Sequence, residues 1–468
     1  MHANEPDQEF GGPCKGSSPV PAWPYFHFRR NILGKVSAFI ALVSLSSFVG
    51  LSAFGANAKP SQKPDELEES PSALEESVPA GLEAEPHLVD EGEQGEKVSD
   101  DGTSSSKDRS LTPQRGHWGL DVGIIVRSYY DSNIFIQPSH AQGDWVNQIA
   151  PSLHLGLGDY IGKAENYFGL DYTARASLYA THSEEDSLDH DVQLSGLKQF
   201  SRLDVRGAVQ FKTATDPNID AGNLSKSRMF RANVTLRYEV TAATAVESDT
   251  MVRKIDYTGS LLGSTEARFT EWYVYQLTAR LDQSIGVTYG KLWVTEGASQ
   301  TYEQVLSRTR LLESSFVTAA LSLGVEDRQY EGTSKKKVNP VFALDLDYDS
   351  HAGRTLHLEA FRKTDSSSLF TDQNRIQTGL QASCRQHLAH NWSAAFDAEV
   401  EQVTYTSTSD TATGDRRDFV YALRPSIIYE PNEHWSVAPF LQFSRNDSNQ
   451  DQFSFTDLQA GLVIKATF

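Results

Sequence analysis

From residue 117 onward this 468-residue chain sets charged side chains at alternate positions between apolar neighbours, and these are the residues that could do chemistry. Arg127, Arg175, Arg206, Arg231, Arg237, Arg253, Arg375, Arg385 and Arg424 alternate in this way with Asp121, Asp171, Asp204, Asp345, Asp397 and Glu399. On the wall of an enclosed passage such groups decide which ions pass, cationic rings favouring anions. Arginines on facing walls would suit an acidic sugar polymer, whereas arginines paired with carboxylates would brace the interior. Catalytic signals are weak by comparison. No segment has the spacing of a nucleophile elbow, an HExxH zinc site, a phosphate-binding glycine loop or a Ser/His/Asp set, so the expectation is no enzyme, no cofactor and no metal. His182 and His190 flank Glu184, Glu185, Asp186 and Asp189 in what reads as one outer loop. Hard cations take clustered carboxylates, but a solvated acidic loop is the commoner outcome. Asp131 and Asn133 read as a turn device rather than a calcium site.

The elements that position these charges have a period of two, which puts alternate residues on opposite faces of a strand. Trp118, Leu120, Val122, Ile124 and Val126 form one such row. Ile149, Pro151, Leu153, Leu155 and Leu157 form the next, and Phe168, Leu170, Tyr172, Ala174, Ala176 and Leu178 a third. Late rows are Phe342, Leu344, Leu346 and Tyr348, then Phe419, Tyr421, Leu423, Pro425, Ile427 and Tyr429, then Leu458, Ala460, Leu462, Ile464, Ala466 and Phe468. One apolar and one charged face, repeated with no helices to cover the apolar side, is the pattern of a closed barrel in lipid with a wet interior.

The expected fold is therefore all-β, a transmembrane antiparallel barrel of eighteen strands over 117–468. Sixteen is the alternative, because the register is unclear over 284–312. Short turns such as Phe200-Ser201-Arg202, Asp282-Gln283-Ser284, Leu388-Ala389-His390 and Pro431-Asn432-Glu433 alternate with longer outer loops such as Thr215 to Lys226 and Ser407 to Arg416. Pro151, Pro340, Pro425 and Pro439 interrupt strands that would otherwise pair continuously. Trp118, Trp392 and Trp435 at one rim, with Tyr129, Tyr130, Tyr179 and Tyr257 at the other, read as interfacial girdles.

Residues 1–58 read as a signal region. Arg29, Arg30 and Lys35 precede an apolar run, and Ala56-Asn57-Ala58 forms a cleavage site. Residues 59–116 are acidic and nearly free of aromatics, the composition of a disordered linker. A net charge of −20 argues against a nucleic-acid partner. With Cys14 ahead of the cleavage site and Cys384 alone after it, no disulfide or Cys-ligated zinc site can form.

The C-terminal alternation ending in Phe468 resembles the last strand of bacterial outer-membrane proteins, whose terminal aromatic is read by the barrel-assembly machinery. Tyr130-Asp131-Ser132-Asn133-Ile134-Phe135, followed by Pro151-Ser152-Leu153-His154-Leu155, resembles the start of the outer-membrane β-barrel porins known as porin 2. The resemblance spans 117–468. It implies a location in the bacterial outer membrane, contact with membrane lipid and lipopolysaccharide, and a channel for a small solute or an exported exopolysaccharide. A closed structural or surface-interaction barrel and an outer-membrane hydrolase are the alternatives.

Overall fold

The computed structural model describes residues 118–158, 166–314, 316–333, 335–350, 353–408 and 416–468. The expected signal region and acidic linker lie outside the described residues. Among those described are eighteen strands: β1 (Trp118–Asp131), β2 (Asp144–Gly158), β3 (Tyr167–Tyr179), β4 (Ser187–Gln199), β5 (Leu203–Asn218), β6 (Asn223–Thr241), β7 (Thr244–Tyr257), β8 (Ser264–Thr278), β9 (Leu281–Val294), β10 (Gln300–Ser314), β11 (Val317–Tyr330), β12 (Lys336–Ser350), β13 (Arg354–Ser366), β14 (Gln373–Ala389), β15 (Trp392–Ser407), β16 (Arg417–Asn432), β17 (Trp435–Ser448) and β18 (Phe455–Thr467). Each pairs antiparallel with its sequence neighbours. β1 also pairs with β18, from Gly123↔Thr467 to Asp131↔Gln459, which closes the sheet and leaves no edge. Val122 and Phe468 exchange two backbone hydrogen bonds, at 3.1 and 2.8 Å, so the terminal phenylalanine extends the seam.

The alternation read from sequence separates the two faces. On β9 Val287 is 52% exposed while its neighbour Thr288 is 1% exposed, and on β16 Phe419 is 46% exposed beside Asp418 at 1%. Exposed Leu, Val, Phe and Tyr side chains encircle the outside, with most of the polar residues turned inward. In water such a surface would drive aggregation. In hydrocarbon it is the matched solvent, and a single-chain barrel of this kind sits in the outer membrane. Pro151, Pro340, Pro425 and Pro439 all point their rings outward into the apolar surface. The β2–β3 ladder lapses at Ala150 and Pro151, and the β16–β17 ladder at Arg424 and Pro425.

Several local expectations need correction. Tyr129, Tyr179 and Tyr257 occupy inward positions, and of the four tyrosines only Tyr130 faces out. The expected loop from Thr215 to Lys226 is a turn of only 219–222, because β5 and β6 continue pairing to Asn218↔Asn223. Asp282, Gln283 and Ser284 belong to β9, the turn before it being 279–280. His190 lies in β4 rather than in a loop, stacked on Tyr172 with ring centroids 6.2 Å apart. Turns such as 242–243, 279–280 and 390–391 mark the periplasmic end by the rule for outer-membrane barrels.

Candidate functional site: the charged interior

The interior is built by a repeated device. Glycines on one strand's inner row leave a bare strip, and a large side chain from the adjoining strand lies across it. A Cβ added at Gly286 would overlap Trp272, one at Gly290 would overlap Tyr302, one at Gly379 would overlap Phe361 and one at Gly461 would overlap Tyr129. Each ring in turn carries a cation. Arg308 sits 4.1 Å from the Trp272 centroid, Arg328 4.4 Å from Tyr302, Lys363 5.2 Å from Phe361, and Arg127 4.2 Å from Tyr129. Cation–π attraction in such sites contributes about 0.5–2 kcal/mol. Its larger effect here is to fix where long, flexible cations lie on the wall.

Along β7 to β11 these cations meet carboxylates. Arg308 donates to Glu247 at 2.6 Å, and Arg310 reaches Glu247 at 3.5 Å and Asp282 at 3.3 Å. Arg237 approaches the same two acids at 3.4 and 4.0 Å. One turn nearer the outer end, Tyr302 donates to Glu266, which also accepts from Arg253 at 3.2 Å. Arg253 continues to Asp365 at 3.1 Å. Arg328 binds Glu326 at 2.8 Å, Gln300 at 2.8 Å and the Thr364 carbonyl at 3.2 Å. These groups are nearly all buried, so this wall is a braced polar core whose ion pairs hold position.

The outer mouth is tied by two residues outside the strands. Asp220, 1% exposed in the β5–β6 turn, accepts from the Ser368 backbone N–H at 2.6 Å and from the hydroxyls of Ser367 and Ser368 at 3.0 and 2.9 Å. Arg416 donates to Asp418 through two nitrogens, at 3.0 and 2.6 Å, and to the carbonyls of Asp220 and Ile219 at 2.7 and 2.9 Å. Its guanidinium packs between Phe453, 3.4 Å from the centroid, and Tyr405 at 4.4 Å. Ile219 buries against Ile136, Val420 and Phe455. The Asp131/Asn133 pair acts as the expected turn device: Asp131 accepts from the Asn133 N–H at 2.8 Å, and buried Asn133 bonds Gln137 and Thr456.

On the remaining wall the charges are mixed but unevenly spread. β5 and β6 turn Arg206, Lys212, Arg231 and Arg237 inward. β12, β13 and β15 turn the partly exposed Asp345, Asp347, Glu359 and Asp397 inward together with buried Glu399 and Glu401, while Lys363, Arg375 and Arg385 stand among them. β5 and β14 are nine strands apart in a closed ladder of eighteen, so the two groups face each other. Ligand atoms of Asp345, Asp347 and His357 lie within 4.8 Å of one another, and His357 Nδ1 bonds Asp347 at 2.8 Å. Among the described residues this is where a divalent cation would find oxygen and imidazole donors.

Each arginine and carboxylate read from sequence as lining the passage is on an inward row. Asp121 faces His154 across β1–β2, and His154 bonds Asp171 at 2.7 Å. Arg127 donates to Gln459 at 3.0 Å, and Arg175 bridges Asp189 at 3.2 Å and Asp216 at 2.9 Å. Asp204 lies across from Arg237, Arg206 across from Thr235, and Arg231 across from Arg253. Asp345 opposes Glu359, Asp397 opposes Arg424, and Glu399 accepts from Gln381 at 3.3 Å. Arg375 approaches Asp220 at 3.9 Å, Arg385 binds Glu430 at 2.7 Å near the periplasmic rim, and Arg424 lies 4.3 Å from the Phe440 centroid. Sequence reasoning missed Arg308, Arg310, Arg328 and Arg416. Arg308 and Arg310 are an i, i+2 pair on β10 that could have been found, had the β10 outer row been apolar, and Arg328 stands on the next strand, β11.

No protein-family model matches the chain, and no curated protein matches it. Among solved structures it is similar to the outer membrane protein opdK from Pseudomonas aeruginosa, with 11% identity, TM-score 0.40, and coverage of 75% of this chain and 98% of that one. It is likewise similar to OccAB3 of Acinetobacter baumannii, with 10% identity, TM-score 0.40, and coverage of 75% and 99%. For OpdQ of Pseudomonas aeruginosa the values are 12%, 0.38, 75% and 97%. The barrel is assigned on its own closed ladder.

Proposed function

We propose that the chain is an outer-membrane channel for small polar solutes, with no chemistry of its own. The observation that carries this is the set of partly exposed charges on facing walls, Arg206, Lys212 and Arg231 on β5–β6 against Asp345, Asp347, Glu359 and Asp397 on β12, β13 and β15. Charges that water can reach on both sides of an enclosed passage orient a dipolar solute and exchange its hydration for protein contacts. A bracing role accounts for the buried pairs of β7–β11, but not for acids placed opposite one another, as Asp345 and Glu359 are, since like charges directly across a ladder destabilise it. The same acidic wall favours neutral, cationic or zwitterionic solutes over an acidic exported polysaccharide. Phe468, sealed into the β1–β18 seam, is where we place recognition by the barrel-assembly machinery.

The test is conductance in planar bilayers with a salt gradient. Neutralising Asp345, Glu359 and Asp397 together (to Asn, Gln and Asn) is expected to move the reversal potential toward anions, and neutralising Arg206 and Arg231 to move it toward cations. A barrel that conducts nothing, with or without these changes, would show a closed structural body instead.

A further inference from the structure

The outer surface of this barrel is not uniformly apolar. On β8 the outward row runs Thr265, Ala267, Phe269, Glu271, Tyr273, Tyr275, Leu277, and Glu271 is at the centre of the strand. Its neighbours Phe269 and Tyr273 are 46% and 55% exposed, and Val287, directly across on β9, is exposed too. The carboxylate therefore lies in the middle of the apolar band, where it accepts one hydrogen bond, 2.6 Å from the Ser248 hydroxyl on the outward row of β7. A carboxylate has about four acceptor sites, and hydrocarbon supplies no partner for the rest.

Polar residues continue to one side of it. Gln283 on β9 donates to Ser307 at 2.9 Å and accepts from Thr309 at 2.7 Å, all three on outward rows. The outward row of β10 is Thr301, Glu303, Val305, Ser307, Thr309 and Leu311, whereas that of β12 includes Val338, Pro340, Phe342, Leu344 and Leu346. Such groups on a lipid-facing surface carry a cost that lipid does not repay, so an ionisable residue at this depth marks contact with something other than lipid. A second outward charge of opposite sign stands on β13. Arg362, between apolar Ala360 and Leu358 below and Thr364 above, donates at 2.5 Å to Thr378 of β14.

We propose that the β7–β10 face is covered by a second copy of this chain, whose β13–β14 face brings Arg362 to Glu271. The two patches are complementary in charge and different in identity, so the contact is heterologous and propagates from copy to copy. β8 and β13 are five strands apart in a ladder of eighteen, about 100° around the barrel, and a turn of that size closes a small ring. This inference needs only that the barrel is in a membrane, and it stands whether or not the interior conducts.

The mature chain in lipid nanodiscs, weighed by mass photometry, is expected to be a multiple of one copy. Glu271→Arg and Arg362→Glu should each reduce it to single copies, and the two together should restore the multiple, because the attraction is then reversed in sense but kept. Gel mobility before and after heating reports whether each variant is a folded barrel. A second measurement leaves both charges in place: with Cys384 replaced by Ser, cysteines at Tyr273 and Ala360 should link copies on oxidation in outer-membrane fragments. Single copies of the unmodified chain, singly reversed variants that stay multiple, a double reversal that stays single, or absence of the link would each overturn the proposal.

Discussion

Replacing Arg416 by alanine is expected to open the outer mouth while leaving the barrel intact. The side chain is 1% exposed and is the cationic partner of Asp418, and it also approaches the Asp220 carboxylate at 3.8 Å. Removing one member of a buried ion pair costs about 3–5 kcal/mol, because the carboxylate left behind is neither solvated nor paired. The barrel can avoid that cost locally. Arg416 precedes β16, the turn it holds is only 219–222, and none of its side-chain bonds belongs to a strand ladder. The turn is therefore expected to swing into solvent rather than the sheet to unfold. At tenfold per 1.4 kcal/mol, 3–5 kcal/mol shifts the ratio of released to seated turn by roughly 10² to 10⁴. Single-channel recordings should show higher conductance and more frequent transitions than the unmodified protein, and brief protease treatment should cut near 219–222. The heat-dependent gel shift should persist. Arg416→Lys should fall between, since an ammonium keeps charge but not the planar fork on Asp418. If Arg416→Ala conducts and resists protease like the unmodified chain, the mouth is not held by this residue. If instead the barrel fails to fold, the separation of mouth from ladder is wrong.

Three further outcomes follow from the two faces. Arginine at outward Leu346 or Leu423 should cost about 2–4 kcal/mol in folding into lipid vesicles, whereas arginine at inward Ser426 should fold and alter ion selectivity. Arginine at Gly461, inward by the same alternation, should fail, because Tyr129 already occupies the space a side chain would need; normal folding yield there would contradict the packing described. Gly379→Leu should be folding-defective for the same reason and should be partly rescued by Phe361→Ala, read as recovery of the heat-shifted gel band.

Much of this architecture was legible in the residues. The row Phe419, Tyr421, Leu423, Pro425, Ile427 places Arg424 inward without any knowledge of the fold, because a strand has only two faces and the period is two. On the faces, what misled was a residue whose type suits both environments. Tyr129 and Tyr179 look like girdle residues by position, yet an interior lined with glycine at Gly461 has room for a ring, and tyrosine is as much at home over arginine as at a membrane interface. The region 284–312 resisted reading because both of its signals are inverted. The inner row of β9 is Ser284, Gly286, Thr288 and Gly290, small enough to be covered by its neighbours, and the outer row of β10 is polar.

The sequence by itself determined the local facts: strands, their faces, and which charges share the inner side. These depend on separations of one or two residues along the chain. Only the tertiary structure decided which inner charges meet. Arg308 reaches Glu247 three strands away, and Asp220 is held by Ser367, Ser368 and Arg416 from the far side of the ladder. Those partners are set by closure and register, which no alternation encodes, because a period of two assigns a face and leaves both the neighbour across it and the wall opposite undetermined.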